Sequence, residues 1–464
     1  GLTLLAFVLF GIATVAAGEG RPNVVLIIAD DQAFGDFGFM GNADLHTPHL
    51  DRLAERSARY VNGYVPTSVC RPSLATLLTG LYPHQHGIHF NHPPPGLGRM
   101  RGMSAERYRA ARRRAEYLIR SIPTLPGVLA KHGYACFQAG KHWEGDYRTA
   151  GFTHGMTTAR AQPDDEYGTR PQSNGERVAH GNGDAGLAIG RDTMQPIFDF
   201  IDEHAGRRPF LVWYAPFLPH TPFDASKSYR MPYESNANLP NHLIGYYAQI
   251  TRFDHTVGQL IGNVERKGLA SETVFIFIVD NGYRPKGVGR FKDENRRSKW
   301  SPYENGVRTP VLIRWDGRVQ PATHERLVQS VDIAPTILAA AGVDGQMDDR
   351  MQGVSLIPSA TGKPALPDRA AFGALWPNDA SVLGAPSRDL LARWVRHGDY
   401  KLIVYQPGSS ESRVELFNVV DDPDERKNLA SNTDQTQRIE RLEALLDEWW
   451  TPGEDTGVAK PADR

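Results

Sequence analysis

The sequence predicts an α/β protein: a mostly parallel central sheet with helices on both faces, then a smaller C-terminal antiparallel-sheet subdomain with a terminal helix. Three observations carry this expectation. Asn23–Ala29, Phe210–Ala215 and residues 274–279 are continuous apolar runs of strand length, as in strands buried on both faces. Segments of helical character lie between them, at about 194–204 and 246–267, and strands alternating with helices imply parallel pairing. Beyond about residue 366 the pattern changes to short strands at 394–396, 400–405 and 414–418. Gly-Asp and Pro-Gly-Ser-Ser turns join these strands, which read as an antiparallel meander.

In chain order, residues 2–15 form a short apolar run followed by Ala16-Ala17-Gly18, which reads as an export signal too short to span a bilayer. The expected location is therefore periplasmic or extracellular, with no stable membrane span. The expected organisation is a signal peptide at 1–18, a catalytic domain at 21–365, a C-terminal subdomain at 366–450 and a flexible tail at 451–464. The first strand breaks into Asp30-Asp31, and Thr47-Pro48 opens a helix with Thr47 as its cap. Residues 61–65 form a short strand that leads into Ser68–Gly80. Residues 99–120 carry eight arginines against two glutamates, with Ser104 as a helix cap. That helix reads as a solvated face or as a border of the cleft that attracts a polyanion through Arg112, Arg113 and Arg114. Residues 160–186 are polar and glycine-rich, a surface insertion. Asp332 caps a helix that ends at Gly342, and an amphipathic helix at about 436–450 closes the chain.

The 464 residues are 40% hydrophobic and 23% charged, with net charge −1, which suits a soluble globular enzyme and offers no global field for nucleic acid. Two cysteines, Cys70 and Cys136, exclude a disulfide framework. Chemistry concentrates in a few strings. Cys70 lies just before a helix N-terminus, with Pro72 in its first turn and Gly80 as the left-handed residue that ends it. Free N–H groups there favour an anion or a nucleophile. Asp30-Asp31 and Asp280-Asn281 follow two of the apolar strands, where ligands of parallel sheets gather. Three carboxylates and an amide are hard oxygen donors, suited to Ca²⁺ or Mg²⁺ rather than zinc.

Cys70-x-Pro72-Ser73 followed by Leu77-x-Thr79-Gly80 resembles the signature of the type I, formylglycine-dependent sulfatases of the alkaline-phosphatase superfamily. Gly140-Lys141-His142-Trp143 is similar to that family's Gly-Lys-Trp-His with the last two residues exchanged. Pro219-His220-Thr221-Pro222 is similar to its Pro-His-x-Pro. Lys299 before Tyr303-Glu304-Asn305-Gly306, and Asp422-Pro423-Asp424-Glu425 with Asn428-Leu429, resemble further family elements. Together the likeness covers about residues 22–450. One departure falls at Leu74, where the family carries arginine; Arg71 stands nearby, on the other side of Pro72.

The resemblance implies a secreted sulfuric ester hydrolase, an arylsulfatase-like enzyme acting on a sulfated carbohydrate or other sulfate ester. It implies that a formylglycine-generating maturation enzyme oxidises Cys70 to an aldehyde, whose hydrate attacks sulfur and later expels sulfate. Asp30, Asp31, Asp280 and Asn281, completed by the oxygen at position 70, are then the ligands of one divalent cation, usually calcium, with magnesium an alternative. Lys141, His220 and Lys299 contact the sulfate, His220 passing a proton to the leaving alcohol, and His142 is a further substrate-binding candidate. Two other readings stay open at this point. One is a phosphodiesterase or phosphonate ester hydrolase of the same superfamily. The other is a non-catalytic relative that binds sulfated glycans, favoured by Leu74 and Trp143.

Overall fold

A computed structural model describes residues 20–161, 168–283, 297–343, 348–363, 366–407 and 414–453. The signal-peptide reading of 1–18, part of the 160–186 insertion and most of the 451–464 tail lie outside the described residues. No helix among those described is long and apolar enough to cross a membrane.

The main sheet contains β1 (Asn23–Ala29), β2 (Ala58–Tyr64), β3 (Ala135–Gly140), β4 (His154–Gly155), β7 (Phe210–Ala215), β8 (Thr273–Val279), β9 (Arg308–Arg314), β10 (Ala322–His324) and β11 (Val328–Gln329). β5 (Thr169–Pro171) and β6 (Arg177–Ala179) form a separate hairpin inside the insertion. The order is β10-β2-β9-β8-β1-β7-β3-β4, with β11 also on β2. All pairs are parallel except those of β9 with β2 and β8. β2, β8, β1, β7 and β3 therefore run the same way, and their carboxyl ends share one edge.

The alternation within β1 divides the core. Val24, Leu26 and Ile28 join one apolar cluster and Val25, Ile27 and Ala29 the other, as side chains of a doubly covered strand must. Helices Cys70–Thr79, Leu125–Lys131 and Ile333–Ala340 cover the first face through Leu77, Leu129 and Ile337. Helices Pro48–Glu55, Gln195–His204 and Asn241–Arg266 cover the second through Leu53, Ile201 and Val257.

The C-terminal sheet is antiparallel, β12 (Ala371–Leu375), β13 (Ala392–His397), β14 (Tyr400–Tyr405) and β15 (Val414–Asn418) in that order. Trp394, Ile403 and Phe417 pack with Tyr64, Tyr303 and Val307 of the larger body, while Val395, Leu402 and Leu416 pack under helix Thr436–Trp449. A buried ionic lock joins the two parts. Lys401 Nζ lies 3.1 Å from both Glu304 Oε1 and Glu425 Oε1, and the Tyr64 hydroxyl donates to Glu304 Oε2 at 2.6 Å.

Several local expectations are corrected. Thr47 makes no cap bond; its hydroxyl accepts from Gly38 N–H and donates to Asp51. Asp332 turns away from its own helix, accepting from the N–H groups of Gln329 and Val354 and from Arg369. Cys70 does not precede its helix but opens it, with Val69 in the cap position. Helix Asn241–Arg266 begins five residues before its expected start at 246. Strands β3, β9 and β12 are additions to the sequence reading. Ser104 does cap its helix, accepting from Arg107 N–H, and Gly80 has φ 68°.

Candidate active site

The shared sheet edge gathers the acidic pairs. β1 ends at Ala29, in register with Val279 of β8, so Asp30-Asp31 and Asp280-Asn281 emerge side by side. Asp280 Oδ1 accepts the Asp31 N–H at 3.0 Å, which turns the two loops toward each other. Asp31 takes φ 62°, a left-handed conformation that a non-glycine residue holds only when its surroundings impose it. β3 delivers Lys141 from two strands away. Gly140 has φ 94°, and a Cβ there would lie 2.0 Å from the Ala215 carbonyl oxygen, so only glycine brings Lys141 this close.

Asp30, Asp31, Asp280 and Cys70 offer ligand atoms that all lie within 4.8 Å of one another, and all four residues are buried. Lys141 Nζ donates to Asp30 Oδ1 at 2.5 Å and sits 3.7 Å from Asp280 Oδ2. Lys299 Nζ is bound to Asp31 and lies 3.0 Å from Cys70 Sγ. Asn281 Nδ2 donates to Asp31 Oδ1 at 2.7 Å. His220 stacks on Phe217 at 4.2 Å and places Nε2 3.5 Å from Asp31 Oδ2. Its Nδ1 lies 2.6 Å from the Thr221 carbonyl oxygen, which can only accept, so Nδ1 carries the proton and Nε2 faces the acids.

Electrostatics show what the cluster lacks. Burial, reinforced by Asp30, holds the Asp280 carboxyl well above the usual range, and Lys141 offsets this only in part. Burial also opposes ionisation of Asp31, but Lys299, His220 and Lys141 outweigh it and hold that group low. Asp30 Oδ2, Asp280 Oδ2 and Asn281 Oδ1 are buried oxygens without a hydrogen-bond partner. Three unpartnered hard oxygens among crowded carboxyls fit a hard divalent cation, which would ionise the whole set. The thiol fits less well: burial pushes Cys70 up to about 12 against the pull of Lys141 and Lys299, and neutral sulfur is a soft donor.

Not every sequence candidate joins this group. His142 sits edge-on to Phe152 and lines a cavity of about 310 Å³ with Tyr108, Arg109 and Asp184. Burial pushes its imidazole down to about 4. Arg112 is buried, donating to the carbonyls of Asn91, Trp143 and Gly181 at 3.0–3.2 Å, so it cannot steer a ligand as an exposed charge. Arg113 and Arg114 are exposed. Sequence reasoning missed Glu144, whose carboxylate takes the Arg71 guanidinium, and Asn91, whose Oδ1 accepts the Arg71 N–H at 2.9 Å. Glu144 directly follows the Lys141-His142-Trp143 string, and that adjacency was the available signal.

Comparison with known proteins accords with this geometry. The sequence model of the Sulfatase family matches residues 22–343, and that described as N-sulphoglucosamine sulphohydrolase, C-terminal, matches residues 298–451. Arylsulfatase A of Bos taurus is 28% identical over 495 residues, covering 94% of this chain and 89% of its own length. N-acetylgalactosamine-6-sulfatase of Rattus norvegicus is 27% identical, covering 77% of this chain and 69% of its own. Among solved structures, Ps i-CgsB in complex with k-i-k-neocarrahexaose has TM-score 0.71 at 20% identity, with 94% of each chain covered. BT4656 in complex with its substrate D-glucosamine-2-N,6-O-disulfate has TM-score 0.67 at 18% identity, covering 92% of this chain and 97% of that one.

Proposed function

The chain belongs to the sulfatase family, and from that premise we propose that it is an exported enzyme that removes sulfate from a sulfated carbohydrate through an aldehyde nucleophile formed at Cys70. Sulfuric ester hydrolysis is the activity of its family and relatives. The observation that supports the fuller reading best is the convergence of three buried carboxyls and two buried lysines on Cys70.

Each residue then has a task. Asp30, Asp31, Asp280 and Asn281 would hold a calcium or magnesium ion, which when bound supplies positive charge to a sulfate oxygen. A formylglycine at position 70, once formed, supplies a hydrated aldehyde as nucleophile and a route to release sulfate by re-forming the carbonyl. Lys141 and Lys299 keep their charge because the acids beside them outweigh burial, and both are held for an anionic ester. His220, its Nδ1 proton committed to the Thr221 carbonyl, turns Nε2 to the acids, and as the imidazolium, favoured by Asp31 beside it, would give the Nε2 proton to the leaving alkoxide. The apolar run at 2–15 supports export, and the maturation enzyme is the partner this chemistry requires.

Turnover of nitrophenyl sulfate against nitrophenyl phosphodiesters tests the reaction class. Hydrolysis of the sulfate with little action on the diester is expected. Failure on every sulfate ester tried, with turnover of the diester, would assign the site to phosphodiester chemistry instead.

A further inference from the structure

We propose that His92, Trp143, His180 and Arg170, with Arg101 beside them, form a subsite for a second anionic group, sulfate ester or carboxylate, on the same sugar chain. The inference rests on the functional reading above and adds to it what flanks the scissile sulfate.

Three rings meet edge to face. His92 and Trp143 lie 5.7 Å apart between centroids, His92 and His180 5.4 Å, and Trp143 and His180 5.7 Å. Trp143 Nε1, His92 Nδ1, His180 Nδ1 and Arg170 Nη1 are all buried without a hydrogen-bond partner. Trp143 is 4% exposed and His92 3%, so two of these nitrogens belong to fully buried side chains, where an unmet polar atom is costly. Indole and guanidinium nitrogens only donate, so what completes them is an acceptor.

Among the described residues, the charges that act most strongly on these rings are positive. Besides burial, the groups acting most strongly on His92 are Arg112, Arg170, Arg71 and Arg101, and those on His180 are Arg170, His92, Arg112 and His220. Glu144 neutralises Arg71. Neither Arg101 nor Arg170 makes an ion pair among the described residues. A cationic recess rich in donors is matched by an anion.

Its walls are fixed in advance. The buried Arg112 guanidinium donates to the carbonyls of Asn91, Trp143 and Gly181, a residue at or next to each of the three rings, and lies 5.4 Å from the Trp143 ring. One side chain thus ties together the segments that present the subsite. The subsite also adjoins the reaction centre. Trp143 stands two residues beyond Lys141, which bonds Asp30 of the acidic cluster. Asn91, next to His92, accepts the Arg71 N–H beside Cys70, and His180 feels the charge of His220.

The test compares kcat/KM on three disaccharides: one with a single sulfate, the same with a second sulfate, and the same with a uronate carboxylate. Wild type, Arg170→Gln and Arg114→Gln are measured, Arg114 being exposed on the outer side of its helix. Wild type is expected to favour a two-anion probe by about tenfold or more, the scale of one charge-assisted hydrogen bond. The favoured probe names the group, sulfate or carboxylate. Arg170→Gln should lose that preference, Arg114→Gln should keep it, and Arg170→Lys should restore part of it. Equal rates of wild type on one- and two-anion probes would overturn the proposal. So would an Arg170→Gln defect of the same size on all three, the mark of a structural role. If no sulfate, nitrophenyl sulfate included, is hydrolysed, the functional reading fails separately. Calorimetric titration of wild type and Arg170→Gln with the disulfated probe then decides the subsite: tighter binding lost in the variant supports it, and equal binding overturns it.

Discussion

Arg71 and Glu144 close a bidentate ion pair directly behind the nucleophile position, with Nε–Oε1 at 2.8 Å and Nη2–Oε2 at 2.7 Å. Both side chains are out of solvent, and Arg71 Nη2 also donates to the Ala115 carbonyl at 3.0 Å. Through Nε and Nη2 the guanidinium anchors the Cys70–Thr79 helix. Glu144→Ala would strand a buried cation, at a cost of about 3–5 kcal/mol in unfolding free energy. The double variant Arg71→Met/Glu144→Leu should recover much of that loss, because apolar residues replace both charges together. Urea unfolding of the two variants checks the difference.

The acidic cluster makes a sharper claim. Asp280→Ala and Asp31→Ala should each remove activity and bound calcium together, since the remaining donors cannot hold a hard cation against the anionic ester. Metal analysis of the purified variants reads this directly, and stoichiometric calcium retained by both would refute the ligand assignment.

Much of this site was legible because its residues sit at strand ends. The β1 run that breaks into Asp30-Asp31 and the β8 run that breaks into Asp280-Asn281 place both pairs on one edge through a parallel register that apolar runs alone imply. Side-chain direction was not legible in the same way. His142 and Trp143 are adjacent in sequence, yet His142 lines a cavity with Tyr108 and Asp184 while Trp143 packs in the core with Leu74 and Leu77. Arg112 looked like a surface charge because helical spacing cannot reveal three carbonyls brought to it from residues 91, 143 and 181. β12 escaped notice because Ala371-Phe372-Gly373-Ala374-Leu375 has little β-branched character and gains its place from pairing with β13.

Acid should weaken the fold through buried histidines away from the active site. His84 lies flat on Trp450 at 4.7 Å and edge-on to Trp449 at 4.9 Å, and burial pushes its imidazole down to about 3. The unfolded chain takes up this proton near pH 6.5 while the folded one does not, so the contribution is full above about pH 6.5 and erodes below it. At about pH 4.5 the loss from one such group approaches about 2–3 kcal/mol. His84→Phe keeps the ring stack without the titration, and its stability should fall less between about pH 6.5 and 4.5 than that of wild type. Urea midpoints across that range measure it; parallel pH profiles would exclude His84 as a contributor.

The last prediction is that Cys70 is converted to formylglycine although position 74 is leucine. Leu74 is buried in the same apolar cluster as Leu77, Leu78 and Trp143, so this position contributes to the core and supplies no guanidinium. Cationic support comes instead from Lys299, whose Nζ lies 3.0 Å from Cys70 Sγ, while Lys141 adds charge from the side of Asp30. The rest of the string remains in place: Pro72 in the first helical turn, Ser73 buried, and Gly80 in its left-handed conformation at the helix end. An unconverted thiol is the poorer alternative, because burial keeps it protonated and its sulfur suits neither a hard cation nor attack on a sulfate ester. Intact mass of the peptide bearing residue 70, from protein made beside a maturation enzyme, should show the CH₂SH group replaced by an aldehyde or its hydrate. Cys70→Ala should then be inert on every sulfate ester while keeping the fold. A peptide that carries only the thiol when isolated from its native host would refute conversion and turn the chain toward the glycan-binding reading.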